Sequence, residues 1–292
     1  MNTRLWFFLG CLLWAVSPLI CRAGQTADFL ERFPTGSINW TRGVITASGS
    51  ASHLDVKDVI ESDTSYDQAR LRAVRNLRST LKRLRLNHQN CIVDLLSSQA
   101  YIQDQLDSMT SAADILNTEH NPEGDVQVTL GINFYGGFSQ LILPSDIQQV
   151  DSIKPLIGGG AESRDARQTF EYSLHTVAPD AYTGLIVDAR GIGATPSMVP
   201  VLKDENGREV YGPAFVSREF AVQYGMCRYM RGTGIADDLS RVTPKPLHVK
   251  GLSSVPDNSC CIVISNSDAS RLRSVSYHLE FLKQCRVVIL LD

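Results

Sequence analysis

Alternating apolar and polar positions predict strands in the first half of the chain. From Val126 to Phe134 every second residue is apolar and those between are polar or glycine, so one face of a strand would pack on a core. A strand or hairpin is also predicted from Ile38 to Ala51, and a short strand from Cys91 to Leu96. Gly136-Gly137 is predicted to turn the chain, so that residues 138–143 return as another strand.

A spacing of three and four residues predicts a long helix from Tyr66 to Leu86. Ser65 and Gln68 fit a capping box at its start. A second, more polar helix is predicted over residues 99–116. The apolar stripe of the first helix consists of Ala69, Ala73, Leu77, Leu81 and Leu84.

Basic residues fill the positions between the apolar ones on the first helix. They could form an interaction surface for an acidic partner or for anionic lipid headgroups. The simpler interpretation is a solvated helix face, and both stay open. The residues that define this basic surface are Arg70, Arg75, Arg78, Lys82 and Arg85.

The second half also has clear strand patterns. Residues 184–188 form a buried-strand pattern, and Val199 to Tyr211 predict a hairpin that turns at Asn206-Gly207. Near the end, a strand from Cys260 to Ser265 is followed by a helix and by a strand from Arg286 to Leu291, which predicts a βαβ unit with parallel strands. That helix would be capped by Asn266 or Ser267. One of its faces would carry Leu272, Val275, Leu279 and Leu282.

These elements predict an α+β fold with two small domains, each a mixed or antiparallel sheet packed with helices. The N-terminus has the parts of a cleavable signal peptide, with Arg4, an apolar core and a break at Ser17-Pro18. The predicted segments are the signal peptide (1–23), a loose leader (24–37), a first α+β domain (38–145), a linker with Gly and Pro (146–170) and a second α+β domain (171–292).

The charge of the chain argues against nucleic-acid binding. The formal net charge is −3, and loss of Arg4 and Arg22 with the signal peptide makes it −5. A mildly acidic chain with 43% hydrophobic residues is typical of a globular protein rather than a general nucleic-acid binder. Beyond the signal peptide, the longest apolar run is Val287–Leu291, so we expect no transmembrane helix in the mature chain.

The cysteines and histidines indicate no metal or cofactor site. Cys11 and Cys21 lie in the predicted signal peptide, and the remaining cysteines have no CxxC and no Cys/His ligand spacing. One disulfide in the second half would suit an oxidising compartment, while buried free thiols fit the sequence equally well. The candidate disulfide cysteines are Cys227, Cys260, Cys261 and Cys285.

One segment invites a catalytic interpretation. Asp188 ends a predicted buried strand, the position where active sites of α/β folds often lie, and Arg190, Gly191 and Gly193 follow it. The segment superficially resembles the start of periplasmic zinc amidases, but it lacks the zinc-binding His of those enzymes. The alternative is a tight turn that Asp188 and Arg190 fix by hydrogen bonds or an ion pair.

Three segments of the first half resemble a domain of bacterial flagellar proteins. In order, GVITASGSA, ARLRAVRNLRSTL and DVQVTLGINFYGG are similar to the flagellar outer-membrane basal-disk lipoproteins and to the N-terminal domain of flagellar assembly protein T. The resemblance covers roughly residues 40–145, and YTGLIVDARG and DENGREVYGP in the second half resemble uncharacterised exported bacterial proteins. The positions of the flagellar helix motif are held by Ala69, Ala73, Asn76 and Leu77.

The resemblance implies a non-enzymatic bacterial envelope protein that is either periplasmic or associated with the periphery of the outer membrane. Such a protein would act through contacts with other envelope proteins, flagellar components among them, and its own assembly into a homo-oligomer stays open. The alternatives are a periplasmic cell-wall hydrolase that uses Asp188 and a module that binds an envelope ligand.

Overall fold

The computed structural model of the protein describes residues 27–52, 62–122, 125–148, 181–232, 239–255, 258–274 and 276–292. These residues form two sheets with packed helices, which confirms the predicted α+β class and its two parts. The predicted signal peptide and residues 149–170 of the predicted linker lie outside the described residues. Within the described ranges, no helix has the length and apolar character needed to cross a membrane.

The elements follow one another in two groups, one on each side of residues 149–180. The first group is β1 (Ala27–Asp28), β2 (Leu30–Phe33), β3 (Gly36–Asn39), β4 (Val44–Ala51), α1 (Ser62–Leu81), α2 (Ile92–Ser98), α3 (Ala100–Ser111), β5 (Asp114–His120), β6 (Val126–Asn133) and α4 (Gly137–Ile142). The second is β7 (Gly184–Asp188), β8 (Val201–Asp204), β9 (Glu209–Tyr211), α5 (Arg218–Tyr224), β10 (Arg228–Arg231), β11 (Pro246–Val255), β12 (Asn258–Ile264), α6 (Asn266–Arg273), α7 (Ser276–Lys283) and β13 (Val287–Leu291).

The first sheet is antiparallel throughout, in the order β2-β3-β4-β6-β5, and α1 packs across it. Small residues allow a close approach, because Gly49 of β4 lies against the main chain of α1 at Ala69 and Ala73. Asn76 of the same helix donates a hydrogen bond to the Ser48 carbonyl at 2.8 Å. The spaced Ala, Ala and Asn of the helix motif therefore serve the contact between α1 and β4.

Four predictions in the first half are wrong at the level of single elements. Residues 91–96 belong to helix α2, because the Asp94 carboxylate accepts the Cys91 N–H at 2.8 Å and starts a helical turn. Residues 138–143 lie mostly in α4, whose Phe138 and Ile142 are buried at helical spacing. The predicted helix over 99–116 ends at Ser111, and β5 follows. The leader is not loose beyond residue 26, since it supplies β1 and β2.

The long helix lies earlier in the chain than predicted. It begins at Ser62, so Ser65 and Gln68 lie inside it and the predicted capping box is wrong. It ends at Leu81 rather than Leu86, although Leu84 and Leu86 are still buried. Residues 82–86 leave the helix so that Arg85 pairs with Cys91 in an isolated β-bridge. Apolar spacing alone did not reveal this change, because the buried leucines continue past the end of the helix.

The second sheet is mixed, in the order β1-β10-β13-β7-β11-β12-β8-β9. Strands β10, β13, β7 and β11 run parallel, β12 runs antiparallel to β11, and β8 is parallel to β12. The predicted parallel βαβ unit is therefore wrong, since β12 and β13 run in opposite directions with β7 and β11 between them. The strands 184–188 and 287–291 and the hairpin β8–β9 are confirmed.

The connection between β12 and β13 contains two helices instead of one. The Ser265 hydroxyl caps α6 by accepting the Asp268 N–H at 3.0 Å. Leu272 and Leu282 are buried as predicted, but Leu279 is 46% exposed because α7 starts a new helix axis. Val275 lies outside the described residues.

The two sheets share a continuous hydrophobic core. The Met198 and Val199 N–H groups donate to the carbonyls of Arg85 and Leu86 at 3.0 and 2.8 Å. The Thr41 hydroxyl donates to the Tyr229 carbonyl at 2.6 Å. Strand β1 pairs with β10 of the second sheet, and β2 continues directly into the first.

A buried carboxylate organises the β8–β9 hairpin. Asp204 accepts the backbone N–H groups of Asn206 and Arg208, and its other oxygen accepts Arg208 Nε and Arg273 Nη1 at 2.9 and 3.0 Å. Burial by itself would raise the pKa of the Asp204 carboxyl, but the hydrogen bonds from Arg208 and Arg273 lower it to about 2. The ionised form of Asp204 thus stabilises the fold.

This ion cluster predicts a pH-dependent effect of Asp204→Asn. Because the folded-state pKa lies below the ordinary 3.8, the stability from Asp204 is present above that value and is lost as the pH falls toward 2. The difference in urea midpoint between wild type and Asp204→Asn should be largest near neutral pH and shrink in acid. Asp67→Asn, at an exposed carboxylate, is the control. A difference that stays constant with pH would contradict the assignment.

Candidate functional site

One turn at the carboxyl edge of the parallel strands contains all four residues of the predicted site: Asp188, Arg190, Gly191 and Gly193. Arg190 Nε and Nη2 donate to the two oxygens of Asp188 at 2.7 and 2.9 Å, and Lys250 Nζ of β11 lies 3.2 Å from Oδ2. Gly191 and Gly193 have φ values of 78° and 67°. The Gly191 N–H donates to Asp292 Oδ2 at 2.9 Å.

The chemistry of this turn matches the ion-pair interpretation. The side-chain hydrogen bonds from Arg190 hold the pKa of the Asp188 carboxyl well below its usual range, with help from Lys250. A general acid needs a pKa raised toward the working pH, so this carboxylate is poorly suited to donate a proton. Across the part of the chain that the structure describes, no three His, Cys, Asp or Glu residues come together as metal ligands.

The structure divides the predicted basic surface into structural and exposed residues. Arg85 forms a bidentate ion pair with Glu31 at 2.7 and 3.0 Å and also donates to the Pro196 carbonyl at 2.7 Å. Arg78 contacts Asp107 at 3.1 Å, and Arg70 donates to the Ser111 carbonyl. Arg75 and Lys82 are exposed.

The basic spacing of the sequence therefore predicted three residues with structural contacts as well as two that face solvent. Arg70 and Arg78 tie α1 to α3, while Arg85 links the two halves. Only Arg75 and Lys82 remain from the predicted set as a patch open to a partner.

All four candidate disulfide cysteines are buried free thiols, which was the alternative left open by the sequence. Burial raises the pKa of Cys227 and of Cys285 to about 12 and raises that of Cys261. Since the thiolate is the reactive form, these residues behave as small core side chains. Cys91 is also free and is partly exposed.

Strand β5 is an exposed sheet edge that sequence reasoning missed. It lies at one edge of the first sheet, where β6 is its one partner among the described strands, and six of its seven residues are exposed. Ile115 and Leu116 are 50% and 53% exposed. A bulge between residues 115 and 117 interrupts its register with β6. The sequence signal was weak because the helical pattern was extended over its first residues.

The second half of the chain matches a protein-family model. Residues 184–292, from β7 to the last described residue, match the family described as Treponema pallidum Tp0624, second domain. No curated protein matches the chain. The resemblance of the first half to flagellar families stays a prediction. The second half of this protein is thus similar to the second domain of a Treponema pallidum protein.

Proposed function

We propose that the protein acts in the bacterial cell envelope by binding other proteins, without catalysis, and that β5 is its principal contact surface. The exposed edge of β5 is the observation that carries this proposal. The signal-peptide pattern and the likeness of the second half to a domain of a bacterial protein support the setting.

The length of β5 distinguishes it from the other strands at sheet edges. It has seven residues, against four in β2, three in β9 and two in β1. Main-chain N–H and C=O groups on the outer side of an edge strand can pair with an added strand. A seven-residue edge offers enough of these groups to bind an extended segment of a partner.

The side chains of β5 indicate the chemistry of that partner. The half-exposed side chains of Ile115 and Leu116 supply apolar surface. The exposed Asp114 and Glu119 supply negative charge. An extended segment that combines apolar and basic residues would complement them. Flagellar ring components and a second copy of this chain are the partners to look for first, because the resemblance of residues 40–145 points to ring assembly.

Cross-linking in intact cells, followed by envelope fractionation and mass spectrometry, tests the proposal. Wild type should be recovered with specific envelope proteins, and the double variant Ile115→Lys, Leu116→Lys should recover them about tenfold less, because lysines on an edge strand oppose pairing. Both side chains are half exposed, so the fold should tolerate the change.

Two further variants make the result specific. Leu71→Lys with Tyr101→Lys places the same changes at residues that are 57% and 64% exposed elsewhere on the first half, and should retain the partners. Arg75→Glu with Lys82→Glu tests the remaining basic patch without touching the ion pairs of Arg78 and Arg85. Recovery of wild type as a free species would overturn the proposal, and equal loss in the Leu71 and Tyr101 variant would overturn the role of β5.

A further inference from the structure

A cavity of about 460 Å³ lies at the amino ends of two parallel strands of the second sheet. Arg228 starts β10, Arg286 directly precedes β13, and Arg241 ends a short 3₁₀ helix (Leu239–Arg241) beside them. The remaining walls come from α5, from the residue after α7 and from the first half, with Tyr135, Phe220, Gln223, Tyr224, Ser240 and Gln284.

The charge of this arginine pocket is one-sided among the residues that the structure describes. Three arginines line it, and none of the described lining residues is Asp or Glu. Hydrogen bonds to main-chain carbonyls hold two of the guanidinium groups in place. Arg241 donates to the carbonyls of Cys285 and Tyr224 at 2.6 and 2.8 Å and to that of Gly225, and Arg286 donates to those of Arg241 and Thr243 at 2.9 and 2.6 Å.

Carbonyl partners fix a guanidinium without cancelling its charge. A carboxylate partner would have neutralised Arg241 or Arg286, whereas a carbonyl leaves a full positive charge in a fixed position. Each of these side chains also retains N–H donors beyond those used. Preorganised cations of this kind bind oxyanions with little loss of side-chain entropy.

Aromatic rings form the other wall of the arginine pocket. Tyr224 is 54% exposed and stacks on Phe220, with ring centroids 6.4 Å apart and planes at 27°. Tyr135 is wedged between Gly43 and Gly225, because a Cβ on either glycine would overlap its ring. Both glycines have positive φ, of 70° and 72°, so the backbone is shaped around this ring.

We propose that the arginine pocket binds a small anionic ligand of sugar size. Its carboxylate or phosphate group would lie against Arg241 and Arg286, and its ring against Tyr224. Gln223 and Gln284 would supply hydrogen bonds to hydroxyl groups. The volume suits such a ligand, since small-molecule pockets commonly measure roughly 300 to 1,000 Å³. This binding is independent of β5, which lies in the other sheet.

Calorimetric titration of the full exported chain with three matched sugars tests the proposal. Glucose 6-phosphate and glucuronate carry the two anionic groups on the same ring, and glucose carries none. At least one anionic sugar should bind, and glucose should bind about tenfold more weakly or not at all. A preference for the phosphate or for the carboxylate identifies the natural group. Failure of both anionic sugars to bind at millimolar concentration would overturn the proposal.

One isosteric variant tests the location of the site without disturbing the arginine contacts. Gln223 is exposed on α5, so Gln223→Glu adds a negative charge to the pocket and should weaken anion binding about tenfold or more. Gln68→Glu makes the same change on exposed surface of α1 and should leave binding unchanged. Equal affinities in wild type and Gln223→Glu would place the anion elsewhere and contradict the proposal.

Discussion

Replacement of Trp40 with alanine is expected to lower the free energy of unfolding by about 3–5 kcal/mol, the usual cost of removing a fully buried large aromatic side chain. Trp40 is 2% exposed and lies where the two sheets meet. Its ring packs edge-on against Phe134 of the first half and Tyr229 of the second, with centroids 5.7 and 5.9 Å away. Its indole N–H donates to Glu31 at 3.0 Å.

The measurement is urea unfolding followed by far-ultraviolet circular dichroism. Trp40→Phe should keep most of the stability, because an aromatic ring still fills the space between Phe134 and Tyr229. Tyr101→Ala is the control, since that side chain is 64% exposed and should change stability by less than about 0.5 kcal/mol. A loss below about 1 kcal/mol in Trp40→Ala would show that the junction contributes little.

Trp40 also offers a direct probe of that junction. The other tryptophans of the chain are Trp6 and Trp14, both within the predicted signal peptide. Intrinsic tryptophan fluorescence of a variant that lacks residues 1–23 would then arise from Trp40. Because the hydrophobic core runs continuously through both sheets, fluorescence and circular dichroism should report the same unfolding transition.

Local periodicity predicted the elements that have strong one-sided patterns. The alternating residues of β6, the apolar stripe of α1 and the Asn206-Gly207 hairpin are all present. Short apolar runs were less informative, because the same few residues fit a strand or one turn of helix, as at α2 and α4. Strand direction was not encoded locally at all. Strands β12 and β13 run in opposite directions because β12 pairs antiparallel with β11, which runs parallel to β7 and β13.

Separation along the sequence also distinguishes the predicted site from the ones that were missed. Asp188, Arg190 and the two glycines lie within six consecutive residues, so a turn pattern was enough to group them. The arginine pocket brings together Tyr135, residues of α5, and arginines from residues 228 to 286. Only the fold makes these residues neighbours. Likewise, only the sheet order shows that β5 lies at an edge.

Substitution of Gly49 with alanine is expected to lower the free energy of unfolding by about 3 kcal/mol or more, at the upper end of overpacking effects. A Cβ at this position would overlap the main chain of α1 at Ala69 and Ala73. Main-chain atoms cannot rotate away as a side chain can, so the whole helix would have to shift from β4. That shift would also lengthen the 2.8 Å hydrogen bond from Asn76 to the Ser48 carbonyl.

Gly131→Ala gives the matched control, because it adds the same methyl group to the neighbouring strand β6. There the new Cβ would meet the side chain of Leu116, which is 53% exposed and free to move. This variant should be neutral or gain up to about 1 kcal/mol, since alanine costs less backbone entropy than glycine in a strand. Equal urea midpoints for the two variants would mean that α1 can move on the sheet. A large loss confined to Gly49→Ala would instead show that close main-chain contact, rather than apolar area alone, fixes the helix that carries Arg75.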